Sequence, residues 1–472
     1  HLKRLFAPLN LADGAELGVR KDWVFCSESH GSQHTRRPQL LRCRRARMGH
    51  MLSTLIPHGF QIREHVIRVP WDRADASLGT LELFARELYT DPDAPPLAYF
   101  QGGPGNPGPR MLMGWIPEAL KHYRVFLIDE RGTGRSTRID ATQCTLLDAA
   151  HLSRLRPPDI AADAEDLRRH LGFDTWDILG NSFGGICVGA YLSYFPEGIG
   201  RAMMTGVVPP FGTTPEEFNR QSVALMAQRV ERFYAAVPWA EERVREVCAH
   251  LEDTEELLPT GERLTPERFR FVGVRLGEET GADTLAMLLE APFHHGAHKR
   301  LRTDFLAAVG AMLSLAPNPL WAVVHDQIFA GLTPRPTNWP GARTYEDAEG
   351  FSVHADPRSN APFYLLGNAF FPFHFDQDPA LRPFREAVED IAQRTGQRPS
   401  VDADALRAND TPAAVLLYED DLFVPFDYAS AQAAQIPNLS VTTHPTYQHD
   451  GIYLHGDEVF RQVHDALPPD RT

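Results

Sequence analysis

The stretch TWDILGNSFGGICVGAYLSYFP constrains this chain more than any other. A short apolar run, Ile178 and Leu179, closes on Gly180, and Cys187, Ala190, Tyr191 and Tyr194 then recur at helical spacing, so the backbone passes from buried strand to helix within a few residues. Ser182 stands between the two, with Gly180 and Gly184 two residues to either side. A G-x-S-x-G turn forces its serine into a strained conformation that pushes the hydroxyl outward, and only residues without a side chain fit beside it. The stretch therefore predicts strand, elbow and helix, and marks Ser182 as a candidate nucleophile.

Such an elbow belongs in a sheet, and strand-like segments recur at 65–71, 80–88, 97–101, 124–130, 176–180, 202–208, 413–419 and 439–445. Helical patterns lie between several of them. In one, Ile160, Ala164, Leu167 and Leu171 share a face, which implies crossover connections and a mostly parallel, eight-stranded sheet. The first two strands, joined by a short polar turn, are expected to pair antiparallel. The alternation breaks near Pro209 and Pro210, and mostly helical, proline-punctuated sequence follows until 413–419 resumes it. Residues 211–410 therefore read as a helical cap inserted after the sixth strand, with 58–210 and 411–472 as the catalytic domain. Residues 1–57 are basic and aperiodic around RRPQLLRCRRARMGHM and begin with His1. They read as a leader: an expression remnant, an extension ahead of a start at Met48 or Met51, or a basic arm.

With 472 residues, 43% of them apolar, the chain can bury a large core. A formal charge of −15 argues against a nucleic-acid partner, which needs a basic surface to displace counterions. The five cysteines are spread out and form no C-x-x-C, so neither a disulfide framework nor a zinc knuckle is expected, and a reducing cytoplasm is the default location. No apolar run reaches membrane-span length, so no membrane partner is expected. His294 and His298 are four apart, as two metal ligands on a helix would be. Gly296 interrupts them and no carboxylate lies nearby, so they read as surface histidines, and neither metal nor cofactor is expected.

A serine hydroxyl is a poor nucleophile until a base takes its proton, and the base needs a third group to fix its tautomer. After an elbow of this type the partners follow in the order acid, then histidine. Glu419, Asp420 and Asp421 end a late strand, and Asp421, four residues before Pro425, is the expected acid. His444, His449 and His455 lie near the C-terminus; His449 is preferred because the loop-forming pair Asp450-Gly451 follows it, with His455 next. Donors for an oxyanion are expected from the N–H of Phe183 and from Gly103 in the loop YFQGGPGNPGP. That loop lacks the lysine and Ser/Thr of a phosphate cradle, and DERGTGRS has too few spaced glycines for a dinucleotide site. Arg131 and Arg135 are expected to tie loops together.

Four ordered motifs, Gln101 to Gly105, Asp129 to Ser136, Gly180 to Gly185, and His449-Asp450-Gly451, together resemble the proline iminopeptidase family of α/β-hydrolases. The likeness spans residues 60–210 and 411–457 and is faint in the cap. It implies the α/β-hydrolase fold and a serine aminopeptidase that removes an N-terminal residue, often proline, through an acyl-enzyme. Ser182, Asp421 and His449 would form the triad, and the partner would be a peptide or small aminoacyl compound with a free N-terminus. Gln101 stands where many members carry histidine, a departure that shifts the subgroup and leaves narrow proline specificity open. An exopeptidase must also hold the substrate's ammonium group, which a dry pocket penalises unless an acid faces it. The cap segment NPLWAVVHDQIFAG is expected to bring Asp326 toward the site, with Trp321 in the substrate-binding wall. The aromatic run FFPFHF, 370–375, reads equally as pocket wall or as core. An esterase or acyl hydrolase on the same scaffold is the alternative; hydrolases with a carboxylate nucleophile are excluded by the serine at 182.

Overall fold

A computed structural model describes residues 59–110, 114–296 and 299–467; the expected leader, 1–57, and His298 lie outside these. Each strand-like segment forms a strand: β1 (Gln61–Pro70), β2 (Thr80–Tyr89), β3 (Pro96–Phe100), β4 (Arg124–Asp129), β5 (Trp176–Asn181), β6 (Ile199–Thr205), β7 (Ala413–Tyr418) and β8 (Leu439–His444). They make one sheet in the order β1-β2-β4-β3-β5-β6-β7-β8. β1 pairs antiparallel with β2, and β2 antiparallel with β4; the remaining pairs are parallel.

Burial follows position in the sheet. The interior strands β5 and β7 are buried at every residue, as strands covered on both faces must be, and β7 is correspondingly apolar throughout. The edge strand β1 is half exposed and carries Arg63, Glu64 and Arg68, charges that discourage pairing with another sheet edge.

Helices cover both faces. On one, helix Pro157–Leu171 begins with prolines at its first two positions, where no backbone N–H is missed, and stops at Gly172, whose φ of 77° a side chain would resist. It buries Ile160, Ala164 and Leu167 beside Cys187 and Tyr191 of helix Phe183–Tyr194. On the other face, Val459, Phe460 and Val463 of helix Gly456–Asp465 pack in a cluster with Tyr99, Trp115 and Leu416. Each such side chain, fully buried, contributes about 1.5–3 kcal/mol.

Among the described residues, the chain between β6 and β7 adds no strand to the sheet. It forms a run of helices, the longest being Pro215–Ala236 and Ala240–Asp253. Val223, Met226, Val230 and Phe233 on one side of the first are buried in the same cluster as Phe183, Val207 and Leu422 of the sheet and its loops. The helical insertion and the sheet thus share a continuous apolar core over the strands' C-terminal ends, where the elbow lies.

Candidate active site

β5 ends at Asn181 and the next helix starts at Phe183, leaving Ser182 between them with φ 53° and ψ −123°. Its N–H donates to the Thr205 carbonyl at the end of β6 (3.0 Å), and its carbonyl accepts from the Gly185 N–H (2.8 Å). These bonds hold a conformation that costs a non-glycine residue on the order of 1–3 kcal/mol. The flanking glycines are required sterically: a Cβ on Gly180 would overlap the Gly184 carbonyl, and one on Gly184 the Phe100 carbonyl at the end of β3. Gly184→Ala is therefore expected to lower stability by about 1–3 kcal/mol, read as a lower urea midpoint at unchanged slope. A variant as stable as its parent would show that the elbow can widen.

Three side chains meet at this turn, two of them from the C-terminal part of the chain. His449 Nε2 lies 2.7 Å from Ser182 Oγ, and His449 Nδ1 lies 2.7 Å from Asp421 Oδ2. Asp421 is 2% exposed, and its Oδ1 accepts the N–H groups of Phe423 (2.8 Å) and Val424 (3.1 Å). The carboxyl group is thus fixed by its own turn and presents its second oxygen to the imidazole. The Phe423 ring, 5.0 Å from that of His449 between centroids, limits the ring's freedom on one side.

The neighbouring candidates are engaged elsewhere. Asp420 accepts from Arg229 and Arg232 at 3.0 Å each and from Gln448 Nε2 at 3.1 Å. Glu419 accepts from the Thr443 hydroxyl. His455 pairs with Glu279 at 2.6 Å and stacks on Tyr447, and His444 also stacks on Tyr447. Arg229 and Asn368 gave no signal in the sequence, yet both brace the site. Arg229, in helix Pro215–Ala236, donates to the Asp420 carbonyl and to Gln448 Oε1, both at 2.6 Å, joining the loops that carry Asp421 and His449. Asn368, with φ 58°, donates to the Phe423 carbonyl at 3.1 Å.

The glycine loop after β3 approaches the elbow from the other side. A Cβ on Gly102 would lie 3.2 Å from that of Ser182, and Gly103 has φ 142°, a region open to glycine. Asn106 Nδ2 holds the loop by donating to the Gly102 carbonyl (3.0 Å), and Gln101 Nε2 donates to the Tyr453 hydroxyl (3.0 Å). The N–H of Gln101 donates to Glu130, whose carboxyl burial pushes far above the usual range. Arg131 is buried and bidentate to Asp163 at 2.6 and 2.7 Å, and also donates to the carbonyls of Pro70, Trp71 and Arg154. Arg135 pairs with Glu64 and lies over the Phe84 ring. Arg131 ties loops together, as expected, whereas Arg135 ties its loop to the strands β1 and β2.

Ser182, Phe183, Gly103 and His449 open on a cavity of about 460 Å³, walled mainly by apolar side chains of the insertion. Trp321 and Phe370 stand in that wall with rings 5.2 Å apart at 84°, while Phe371 and Phe375 are buried core, so the aromatic run serves both purposes. Asp326 requires a correction: it does not line the cavity, although Trp321, His325 and Ile328 do. The α-helix ends at His325 and tightens into a 3₁₀ turn, Asp326–Phe329. Asp326 instead faces His325, whose Nδ1 lies 3.4 Å from its Oδ1. Two other acids, Glu278 and Asp450, line the cavity, and no lysine or arginine does among the described residues. Burial raises both above their ordinary values. The charge of Asp450 adds to the effect on Glu278 while Arg275, 2.6 Å away, opposes it, and for Asp450 the N–H of Glu279 opposes it.

A mostly parallel sheet of this order, with a serine on the elbow after β5 facing a histidine, defines a serine hydrolase of the α/β-hydrolase fold. Residues 95–247 match the sequence profile of the alpha/beta hydrolase fold family. A proline iminopeptidase of Aeromonas sobria is 32% identical over 417 residues, spanning 86% of this chain and 96% of the relative. One from Aspergillus aculeatus is 28% identical over 430 residues, spanning 85% and 92%. The chain therefore belongs to the proline iminopeptidase family and is a prolyl aminopeptidase-like hydrolase. Among solved structures, a thermophilic esterase from Thermogutta terrifontis is similar at 14% identity with a TM-score of 0.41, covering 85% of this chain and 97% of that one. No helix of the described residues is long and apolar enough to cross a membrane.

Proposed function

We propose that this enzyme releases the N-terminal residue, proline among those accepted, from peptides with a free amine, and that Ser182, His449 and Asp421 carry the reaction. The observation that supports it most is the hydrogen-bonded line Asp421–His449–Ser182 beside a cavity whose only charged lining groups among the described residues, besides histidines, are the acids Glu278 and Asp450. With Nδ1–H donated to Asp421, Nε2 is free to take the Ser182 proton as Oγ attacks the carbonyl of the first residue. The oxyanion meets the N–H groups of Phe183 and Gly103. Collapse breaks the peptide bond as His449 returns the proton to the leaving amine, and water then releases the acyl group by the same path. Residues 58–210 and 411–472 act as the catalytic domain and 211–410 as the cap that sets substrate length. The cysteine pattern supports a cytoplasmic location.

Glu278 and Asp450 take the role expected of Asp326. Two partly buried carboxylates facing one cavity are each disfavoured in the charged form, and a substrate ammonium between them relieves both. Glu278→Gln and Asp450→Asn are each expected to lower kcat/KM on prolyl arylamides by roughly ten- to a hundred-fold, on the order of 1.4–2.8 kcal/mol, with aryl esters lacking the amine little changed. Equal losses on both substrates would remove the anchor assignment.

The pH dependence has a definite sign. Raised carboxyl groups stay protonated to higher pH than ordinary ones, and only their charged forms pair with ammonium. Arylamide kcat/KM should therefore fall with decreasing pH more steeply than ester kcat/KM, and the extra loss should set in above the ordinary values of these carboxyl groups. Superimposable acid limbs would contradict this. A panel of aminoacyl arylamides with free and acylated amines, beside simple aryl esters, tests the activity itself. Brisk cleavage of the acylated compounds would favour the esterase reading.

A further inference from the structure

A second cavity, of about 510 Å³, shares no lining residue with the first. Arg73, Arg154, Arg156, Arg394 and Arg398 line it against two acids, Asp72 and Asp159, an excess of positive charge in a chain whose net charge is −15. Three of the arginines are neutralised: Arg73 by Asp163 and Asp166, Arg154 by Asp72, and Arg394 by Asp390. Arg156 and Arg398 have no carboxylate within ion-pairing distance among the described residues. Arg156 is 4% exposed and donates only to the carbonyls of Gln327 (3.2 Å), Arg398 (2.7 Å) and Ala330 (2.8 Å). Three of its five N–H donors are used in this way. Burial lowers its pKa to about 10, the mark of a cation short of counter-charge. The Arg398 guanidinium lies over the Tyr194 ring, 3.4 Å from its centroid.

A buried guanidinium without a counter-ion is costly, and its planar fork matches the oxygens of a phosphate. Two arginines without a paired carboxylate, Arg156 and Arg398, match an anion of up to two charges, and the volume of about 510 Å³ exceeds what a single phosphate group fills. We propose that this cavity binds a small phosphate-bearing anion, with Arg156 and Arg398 as its principal ligands. The site is built across the fold: Arg154 and Arg156 precede helix Pro157–Leu171, whereas Arg394 and Arg398 belong to the insertion. The carbonyls that Arg156 holds, Gln327 and Ala330, flank Ile328 and Phe329, which line the substrate cavity. An anion on Arg156 would therefore bind beside the turn that also walls the active site.

Isothermal titration of the full chain with tripolyphosphate, and separately with inorganic phosphate, at constant ionic strength tests this without substrate, so its outcome is independent of the proposed activity. Saturable binding at one anion per chain is expected with at least one of the two. It should weaken by about tenfold or more in Arg398→Glu and in Arg154→Gln; both side chains are partly exposed, and an unchanged circular dichroism spectrum will verify their folding. Absence of saturable binding with both anions, or undiminished binding in Arg398→Glu, would overturn the proposal.

Discussion

Replacing Ser182 by alanine is expected to reduce kcat on a prolyl arylamide by roughly 10⁴–10⁶-fold while leaving the melting temperature close to that of the parent. The size of the loss follows from the geometry. Ser182 Oγ is the group within hydrogen-bonding distance of His449 Nε2, and its removal leaves the imidazole without a nucleophile to activate. Stability is spared because one hydroxyl is lost from a turn that backbone bonds to Thr205 and Gly185 hold in place. Steady-state kinetics with parallel thermal melts check both halves. Activity within about tenfold of the parent would mean that another group attacks, and a collapsed melting temperature would mean that the elbow needs the serine for folding.

The second large effect separates two adjacent acids. Asp421→Asn is expected to lower kcat by about 10⁴-fold, because an amide facing Nδ1 favours the wrong imidazole tautomer. Asp420→Asn should cost roughly tenfold or less, since its carboxylate serves partly exposed pairs with Arg229 and Arg232. His449→Ala against His455→Ala should divide in the same way, His455 being occupied by Glu279. Kinetics on the four variants give the ranking, and a reversal within either pair would displace the corresponding residue from the reaction.

The pattern of what was legible in the sequence has physical causes. The strands stood out because a doubly covered sheet demands runs such as Ala413–Tyr418, apolar throughout. Ser182 stood out because the elbow tolerates only glycine at 180 and 184, and steric need of that kind writes itself into a short motif. Asp421 and His449 could be placed because the order of the motifs limits where partners fall. The substrate wall was harder. Asp326 failed because which residues of a short helical segment reach the cavity depends on how the insertion folds over the sheet, which apolar spacing does not reveal. Glu278 lies in the polar stretch GEETG, indistinguishable by composition from a solvated turn until the insertion folds over the sheet. Arg229 reads as an ordinary helical arginine; only the folded chain brings it to Asp420 and Gln448, 191 and 219 residues away. The arginines of the second cavity are scattered from 73 to 398 and share no local pattern.

The most direct test is to trap the intermediate. The protein should be mixed with excess prolyl arylamide or prolyl ester, quenched in acid within the first turnovers, digested and mapped by mass spectrometry. A single prolyl adduct on the peptide containing Ser182, absent from Ser182→Ala and from protein incubated with the N-acylated compound, is the expected result. Turnover of the free-amine substrate with the adduct on any other residue would contradict the account, as would an equal adduct from the N-acylated compound.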